Sequence, residues 1–374
     1  MSSPSTRARK LFLSLCVACV LAVAVFAVVR RSRLAPDRNP PIAASQTKPL
    51  PVSKAAAAPQ PHETVTAELP SKEERPSIPA RTPSPLIYFR ANALNDSYGK
   101  LAVSQIDALD QVRYASSMTC DRVHFSGSKG VCLASDRGVF TTYSAVMFDD
   151  QLRPGWSRKL NGIPSRVRVS PSGRLAAITV FLSGHSYTSA SFSTETTILD
   201  TSSGEALIDL EKFSVTRNGS PFQSPDFNFW GVTFARDENR FYATLSSKGK
   251  TYLVKCDLAK RTAEVIHEDV ECPSLSPDNS RIAFKKRTGP ITWRIWLLDL
   301  KTLTETPLNE TRNVDDQVEW LDANHVLYAL PEDLKASSPT TDVWSLSIDS
   351  AGAPELLVKG AFSPAVVQRQ VQTR

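Results

Sequence analysis

The sequence predicts an all-β fold: a six-bladed β-propeller over residues 86–367, preceded by one transmembrane helix and a disordered proline-rich linker. Three observations predict it. From residue 86 onward, a unit of two short apolar strands around a polar turn returns at about 42–44 residues, the length of a four-stranded propeller blade. Residues 11–29 are apolar and carry no charge. Residues 30–85 are rich in proline and alanine.

The apolar segment 11–29 predicts a membrane anchor. At about 1.5 Å rise per residue it extends roughly 28 Å, close to the hydrocarbon thickness of a bilayer. A cleaved signal peptide, whose apolar core is usually about 7–15 residues long, is one alternative. A lipoprotein processed at Cys19 is another. Because large domains translocate largely regardless of flanking charge, we expect residues 1–10 to be a cytoplasmic tail and the propeller to lie outside the cytoplasm.

The segment 30–85 predicts a flexible linker. No aromatic residue occurs between Phe26 and Tyr88, so the segment cannot form a core. Its prolines favour extended polyproline II, in which about 50 residues reach on the order of 150 Å. We therefore expect the linker to hold the domain away from the membrane. A proline-motif ligand for another protein is the alternative.

Two units show the repeat best, residues 166–181 and residues 273–286. Each contains an apolar strand, a Ser-Pro-x-x turn and a second apolar strand. Proline suits the second position of such a turn because its φ is fixed near −65°, and Gly173 or Asn279 suits a position with positive φ. The second unit gives the turn its clearest form.

The other half of each unit is a hairpin with an aspartate at its turn. A carboxylate at this position bonds to a backbone N–H two residues on and closes an Asx-turn. We therefore interpret these aspartates as structural. The six are Asp107, Asp149, Asp200, Asp257, Asp299 and Asp349.

Six outer hairpins but only five complete inner ones occur, and this deficit predicts how the ring closes. Residues 86–91 look like a second strand without its first, and residues 360–367 like a first strand without its second. Pairing them completes the sixth blade from both chain ends and removes open sheet edges. Residues 368–374 then form a polar tail.

The run Ser-Pro-Asp-Asn-Ser-Arg-Ile-Ala-Phe at 276–284 resembles the repeat of TolB-like propellers. The resemblance covers residues 86–367, and no Trp-Asp dipeptide closes the blades as in WD-type propellers. It implies a bacterial envelope protein that binds other proteins or small ligands through its propeller. It implies no catalytic residues.

The charge distribution argues against nucleic-acid binding. The formal net charge is +6, but residues 1–86 hold 12 basic and 5 acidic residues, and the rest of the chain has a net charge of −1. A nucleic-acid-binding domain carries a basic footprint of its own. The expected partners are therefore the membrane, through residues 11–29, and an unknown protein or cell-surface ligand.

No sequence motif for catalysis, a metal or a cofactor is found. The chain has no GxSxG elbow, no HExxH, no phosphate loop and no EF-hand pattern. Without a CxxC pair in the domain or clustered histidines, we predict no metal site. Cys120 with Cys132 and Cys256 with Cys272 are the sequence-near pairs. Each is either a disulfide, which an extracytoplasmic location permits, or two buried thiols.

Loop lengths predict which face of the propeller binds. The loop between the second and third strands of a blade opens on the same face as the loop to the next blade. Two insertions, residues 183–194 and 214–230, fall in such loops, so we expect both to rise on one face. Aromatic side chains beside both charge signs suit a recognition site there, unless they merely plug the channel. The predicted binding residues are His185, Tyr187, Phe229, Trp230, Lys285, Lys286, Trp293, Asp121, Arg166, Glu271, Asp315 and Asp316.

Two functions fit these features. The first is a membrane-tethered, extracytoplasmic propeller that acts as a protein- or ligand-binding module through its loop-rich face. The alternative is an enzyme, a lyase or hydrolase, with acidic residues and a bound cation at the channel mouth. Convergence of Asp121, Glu271 and Asp315 with raised pKa values would favour the enzyme.

Overall fold

Short strands build almost all of the chain that the computed structural model describes, namely residues 84–109, 113–184, 186–187, 192–332, 340–349 and 352–367. These residues form six separate sheets and belong to one compact unit. The predicted cytoplasmic tail, membrane span and nearly all of the linker, residues 1–83, lie outside the described residues, as does the polar tail 368–374.

Each sheet is one blade, and its strands follow one another outwards from the central channel. Blade 1 contains β26 (Ala361–Val367), β1 (Leu86–Ala91), β2 (Lys100–Gln105) and β3 (Arg113–Thr119); blade 2 contains β4 (Arg122–Ser126), β5 (Lys129–Arg137), β6 (Thr141–Asp149) and β7 (Pro154–Leu160); blade 3 contains β8 (Ile163–Val169), β9 (Leu175–Ser183), β10 (Ser193–Asp200) and β11 (Ala206–Asp209). Blade 4 contains β14 (Asn228–Phe234), β15 (Arg240–Ser247), β16 (Lys250–Asp257), β17 (Thr262–Glu268), β12 (Ser214–Arg217) and β13 (Ser220–Pro221); blade 5 contains β18 (Glu271–Leu275), β19 (Arg281–Gly289), β20 (Thr292–Asp299) and β21 (Glu305–Pro307); blade 6 contains β22 (Glu319–Trp320), β23 (His325–Pro331), β24 (Thr341–Ser347) and β25 (Glu355–Val358).

Helices contribute little to the described part of the chain. Two 3₁₀ helices occur there, Ile106–Ala108 and Leu210–Lys212. Within the described ranges, none of the helices has the length and apolar character needed to cross a bilayer.

The predicted turn chemistry is confirmed at both of the best repeats. Gly173 (φ +80°) and Asn279 (φ +62°) have the positive φ that the turn requires. Their N–H groups donate to the carbonyls of Ser170 and Ser276 at 2.8 and 2.9 Å. Such turns set the register of the first two strands of a blade.

Four of the six hairpin aspartates close turns as predicted. Each accepts a hydrogen bond from a backbone N–H two or three residues on, at 2.7–3.0 Å. These four are Asp149, Asp200, Asp257 and Asp299. In contrast, Asp107 lies within the first 3₁₀ helix.

The ring closes as the sequence predicts. The N-terminal strand β1 pairs antiparallel with the C-terminal strand β26, from Leu86 opposite Val367 to Ala91 opposite Ala361. The C-terminal strand is the innermost of blade 1, and the N-terminal strand is second. The two chain ends therefore share one blade, so every inner strand has a neighbour.

Blade 4 corrects the prediction for the second insertion, which was expected to rise on the binding face. Instead β12 pairs in parallel with β17, and β13 follows it in a hairpin through Asn218 and Gly219. Both turn residues have positive φ, +52° and +75°. The apolar side chains of Phe222 and Phe227 pack against the core of blades 3 and 4. Burial of these rings explains why the insertion wraps around the outer edge of the blade.

The hydrophobic core lies between neighbouring blades. Between blades 1 and 2, Tyr88 stacks on Phe125 with ring centroids 4.1 Å apart. Phe148 completes this cluster above Gly130, where an added Cβ would approach its ring to 2.1 Å. Fully burying such rings contributes about 1.5–3 kcal/mol each. A cluster of buried apolar side chains lies between every pair of adjacent blades in the described structure.

Each cysteine pair takes one of the two states expected for it. Cys120 and Cys132 form a disulfide with Cα atoms 5.4 Å apart. Cys256 and Cys272 are free, buried thiols. Cys256 packs in the core between blades 3 and 4, whereas Cys272 lies on the inner strand of blade 5 among aromatic rings.

Candidate functional site at the channel mouth

The starts of the six inner strands meet at one end of the channel, which we call the top face. Arg122 at the start of β4 forms an ion pair with Asp316 before β22, at 3.4 Å. Its guanidinium also lies 4.4 Å from the ring centroid of Phe362 on β26. Arg166 on β8 approaches Asp315 at 3.9 Å. These contacts across the channel define the channel mouth.

Irregular backbone shapes this mouth. Three inner strands, β14, β18 and β26, lose regular pairing near their starts, where Gly231, Cys272 and Ser363 adopt φ values of +64°, +49° and +54°. A Cβ on Gly231 would lie 2.7 Å from the Cα of Cys272. Glycine is therefore required where blades 4 and 5 approach each other. Such bulges re-aim neighbouring side chains, and here those neighbours are Trp230 and Glu271.

A buried lysine organises the charges of the mouth. Lys285 on β19 is 1% exposed and lies opposite Glu271 on β18, which is also 1% exposed. The lysine Nζ donates to Asp315 and lies 3.8 Å from Glu271 Oε2. Arg287 Nε donates to the other Glu271 oxygen at 3.1 Å. The charges thus compensate one another, as burial demands.

Aromatic rings surround this ion cluster. Tyr187 stacks on Trp230 with centroids 4.7 Å apart, and Phe192 contacts both rings edge-on. Lys285 Nζ lies 4.4 Å from the centroid of Trp293 and 5.4 Å from that of Tyr187. Cation–π attraction therefore adds to the ion pairs that hold the lysine.

Several polar atoms of the mouth are buried without a hydrogen-bond partner among the described residues. They are Arg166 Nε, Trp230 Nε1, Trp293 Nε1 and Glu271 Oε2. Most buried polar groups in proteins are paired. Three unpaired donors and one unpaired acceptor in one cluster thus leave hydrogen-bonding capacity for a bound group.

The pKa shifts keep the Asp315 carboxylate and the Arg122 guanidinium charged at neutral pH. Burial alone would raise the pKa of Asp315, but Lys285 and Arg166 outweigh it, and the pKa lies below its usual value. Burial and the neighbouring Arg166 lower the pKa of Arg122 to about 10. Burial raises the pKa of the Tyr187 phenol, so its hydroxyl keeps its proton and hydrogen-bonds Ser165 at 2.5 Å.

A second charged cluster lies deeper in the channel, and we call it the channel clamp. Arg168 on β8 donates to Glu319 on β22 and to the carbonyl of Val318 at 3.1 Å. His124 on β4 accepts a hydrogen bond on Nδ1 from the Val169 N–H at 3.1 Å. Its Nε2 lies 3.0 Å from Arg168 Nη1 and 3.4 Å from Glu319 Oε2. The clamp connects blades 2, 3 and 6.

Exposed apolar side chains surround the mouth on the top face. Of ten large hydrophobic residues exposed in the described part of the chain, seven lie in loops or strand ends on this face. The most exposed are Val139 (96%), Phe140 (83%) and Leu94 (67%). We call the seven residues the apolar rim. They are Leu94, Tyr98, Val139, Phe140, Ile163, Leu182 and Ile291.

The structure brings most of the predicted binding residues together. Eight lie in the mouth: Tyr187, Trp230, Lys285, Trp293, Arg166, Glu271, Asp315 and Asp316. His185 lies outside the described residues.

Three predicted residues lie elsewhere. Phe229 is buried in the core of blades 3 and 4. Lys286 points to the opposite face of its strand and forms an ion pair with Glu305. Asp121 is hydrogen-bonded to Ser135 on the neighbouring strand. These three side chains are therefore not part of the charged and aromatic cluster at the mouth.

Sequence reasoning missed Arg122, Phe192 and Cys272. Arg122 directly follows Asp121, and Cys272 directly follows Glu271. Side chains alternate across a strand, and a bulge shifts that alternation by one residue. The sequence shows which strand ends approach the mouth, but the bulges decide which side chains face it.

Comparisons with known proteins identify the fold. No family model and no curated protein matches the chain. TolB from Acinetobacter baumannii superimposes with a TM-score of 0.53 at 17% identity, over 76% of this chain and 66% of that one. The fold is a TolB-like six-bladed propeller. A chain of the nidogen/laminin complex gives a TM-score of 0.50 at 11% identity, over 76% of this chain and 98% of that one.

Proposed function

We propose that this protein is a membrane-tethered, extracytoplasmic module that binds a protein partner through the top face of its propeller. The apolar rim is the observation that carries this proposal. Single exposed apolar residues are ordinary, but a set of them confined to one face marks an interaction surface. The rim surrounds buried charged and aromatic groups, an arrangement that suits a specific interface.

The mouth supplies specificity in this proposal. A partner group that complements its unpaired donors and ion pairs binds more tightly, and a group that does not complement them binds more weakly. The nidogen/laminin structure supports a protein partner, since it is itself a complex between two proteins.

The tether follows from the expected membrane span at 11–29 and the linker at 30–85. The described chain begins near Leu86, which pairs with Val367 at the end of the inner strand, on the face opposite the mouth. In this proposal the linker joins the propeller at that strand and holds the domain away from the bilayer.

The enzyme alternative receives less support from the mouth. Lys285 contacts both Glu271 and Asp315, whereas Asp121 accepts from Ser135, and the pKa of Asp315 is lowered, not raised. A general acid needs a raised pKa near the working pH. Within the described ranges, no group of three or more histidine, cysteine or carboxylate side chains could hold a metal ion. Binding is therefore the function that we propose.

A photo-crosslinking residue at Phe140 is expected to capture a protein partner in intact cells. Phe140 is 83% exposed at the tip of the loop between β5 and β6, so the change does not disturb the core. The measurement is the adduct seen on a denaturing gel, followed by mass spectrometry of the captured protein. In a chain with Val139→Ser and Ile291→Ser as well, the adduct should weaken severalfold.

The matched control places the same crosslinker at Leu303. This side chain is 40% exposed in the turn between β20 and β21, on the opposite face. It should give no comparable adduct. Equal capture from both positions, or none from Phe140, would show that the top face is not the binding surface.

The disulfide tests the proposed location. Because thiols in most cytosolic proteins stay reduced, Cys120 and Cys132 are expected to resist alkylation in cells until a reductant is added. After denaturation without reductant, Cys256 and Cys272 should react and provide the internal control. Prompt alkylation of Cys120 and Cys132 in rapidly quenched, denatured cells would place the domain in a reducing compartment.

A further inference from the structure

A cavity of about 370 Å³ opens on the outer side of the propeller, between blades 2 and 3. We call it the side groove. Its floor consists of Ile178, Val180 and Leu199, which are at most 3% exposed. Its walls include the end of β7 and the short strand β11. This volume lies within the range of about 300–1,000 Å³ typical of small-molecule sites.

The path of the chain explains why this groove stays open. Below it, Trp156 on β7 fills the gap between the blades and donates its Nε1–H to the carbonyl of Thr201 at 2.8 Å. Gly204 leaves room for the ring, because a Cβ there would lie 2.6 Å from it. Above this plug, β11 ends after four residues, and the chain crosses to the edge of blade 4 as β12. Among the described strands, none covers the face of blade 3 beyond β11.

The edge of the side groove is basic. Arg158, Lys159, Lys212 and Arg261 line it. Within the described residues, Lys159 and Arg261 have no ion-pair partner, and Arg158 bonds only to the carbonyl of Gly204 at 3.3 Å. Cationic side chains that line a groove and have no ion-pair partner favour an anionic ligand group.

The two carboxylates of the groove are partly engaged. Asp209 accepts a hydrogen bond from the Glu211 N–H at 3.1 Å and forms an ion pair with Lys212 at 3.4 Å. Glu195 accepts one from the Thr197 hydroxyl at 3.4 Å. Four cationic and two acidic side chains therefore line the side groove, which leaves a net positive charge at its edge above an apolar floor.

We propose that the side groove binds an anionic amphiphile, a small molecule with an apolar chain and a carboxylate or phosphate head. The chain lies against Ile178, Val180 and Leu199, and the head lies between Lys159 and Arg261. Apolar burial supplies affinity in proportion to the area covered. The basic residues at the edge of the side groove favour an anionic head group. This ligand is separate from the protein partner of the top face.

Calorimetric titration of the full chain, in a neutral detergent, with decanoate tests this site. Decanoate should bind one site per chain, and decyl phosphate should bind there as well if a phosphate head is accepted. Decyltrimethylammonium has the same chain and the opposite charge, and it should not bind the groove. Lys159→Ala with Arg261→Ala should weaken decanoate binding about tenfold or more, because charge-assisted contacts are lost.

Two further variants locate the binding. Thr197→Phe fills the groove without changing its charge and should abolish decanoate binding. Arg236→Ala with Lys250→Ala removes two exposed cations from blade 4 and is the matched control, with binding unchanged. If Thr197→Phe fails to fold, the variant with Lys159→Ala and Arg261→Ala still tests the proposal, since these two side chains lie outside the core. Equal decanoate affinity in all variants, tight binding of the ammonium amphiphile, or no binding to the wild type would overturn the proposal.

Discussion

Replacing Glu319 by alanine is expected to lower the free energy of unfolding by about 3–5 kcal/mol. Glu319 is 9% exposed in the channel clamp and accepts from Arg168 on another blade. Removal of the carboxylate leaves the Arg168 guanidinium buried without its countercharge. A buried charge that loses its partner costs far more than an exposed one. Since domains are stable by only about 5–15 kcal/mol, the effect should be large.

The position of the clamp adds to this effect. Glu319 also accepts from the Val366 N–H of β26 at 3.3 Å, and its pKa is lowered because Arg168 and His124 outweigh the effect of burial. The carboxylate therefore ties together blades 1, 2, 3 and 6. Urea-induced unfolding, followed by tryptophan fluorescence, gives the free-energy difference.

An exposed ion pair provides the comparison. Glu268 pairs with Arg217 at the edge of blade 4, with side chains 48% and 34% exposed. Glu268→Ala should cost about 1 kcal/mol or less, because solvent screens such pairs. A loss at Glu319 no greater than the loss at Glu268 would mean that the channel is solvated and that the clamp does not join the blades.

The architecture could be predicted from the sequence because its signals are local. The Ser-Pro turns, with Gly173 and Asn279 at positive φ, mark the first two strands of blades 3 and 5. The two chain ends then complete one blade, since residues 86–91 lack a first strand and residues 360–367 supply it. Strand order in a propeller is fixed by the repeat itself.

The course of the second insertion was harder to predict. Its length suggested a loop on the binding face, but Asn218-Gly219 between short runs with alternating side chains is a hairpin signal. The apolar Phe222 and Phe227 would also have indicated burial, as the structure shows.

The candidate site could be predicted from the sequence only in part. Lys285 and Trp293 come from loop ends whose place follows from the blade repeat, so the sequence finds them. The neighbours Asp121 and Arg122 could not be told apart, because their orientation depends on backbone geometry at the start of β4. Cys272 lies in a bulge with positive φ, which no sequence pattern announces. Local signals thus locate the mouth but not all of its side chains.

Truncation of the chain after Gly360 is expected to abolish cooperative folding of the propeller. The deletion removes β26, the inner strand of blade 1, whose Ala361 and Ala365 are fully buried. It exposes the edge of β1 and deprives Val123 of the two hydrogen bonds that it makes with the Ser363 hydroxyl, at 2.9 and 3.1 Å. It also removes the backbone N–H that reaches the channel clamp. An open ring with a bare inner edge is unstable and prone to aggregate.

A chain that ends at Val367 is the matched control, because β26 is then complete. Thermal unfolding followed by circular dichroism should give this control the same Tm as the full chain, whereas the chain ending at Gly360 should show no cooperative transition. A synthetic peptide of residues 360–367 added to the shorter chain should restore part of the transition, since it can reoccupy the edge of β1. A cooperative transition at an unchanged Tm without the peptide would mean that the other five blades hold the ring together without closure.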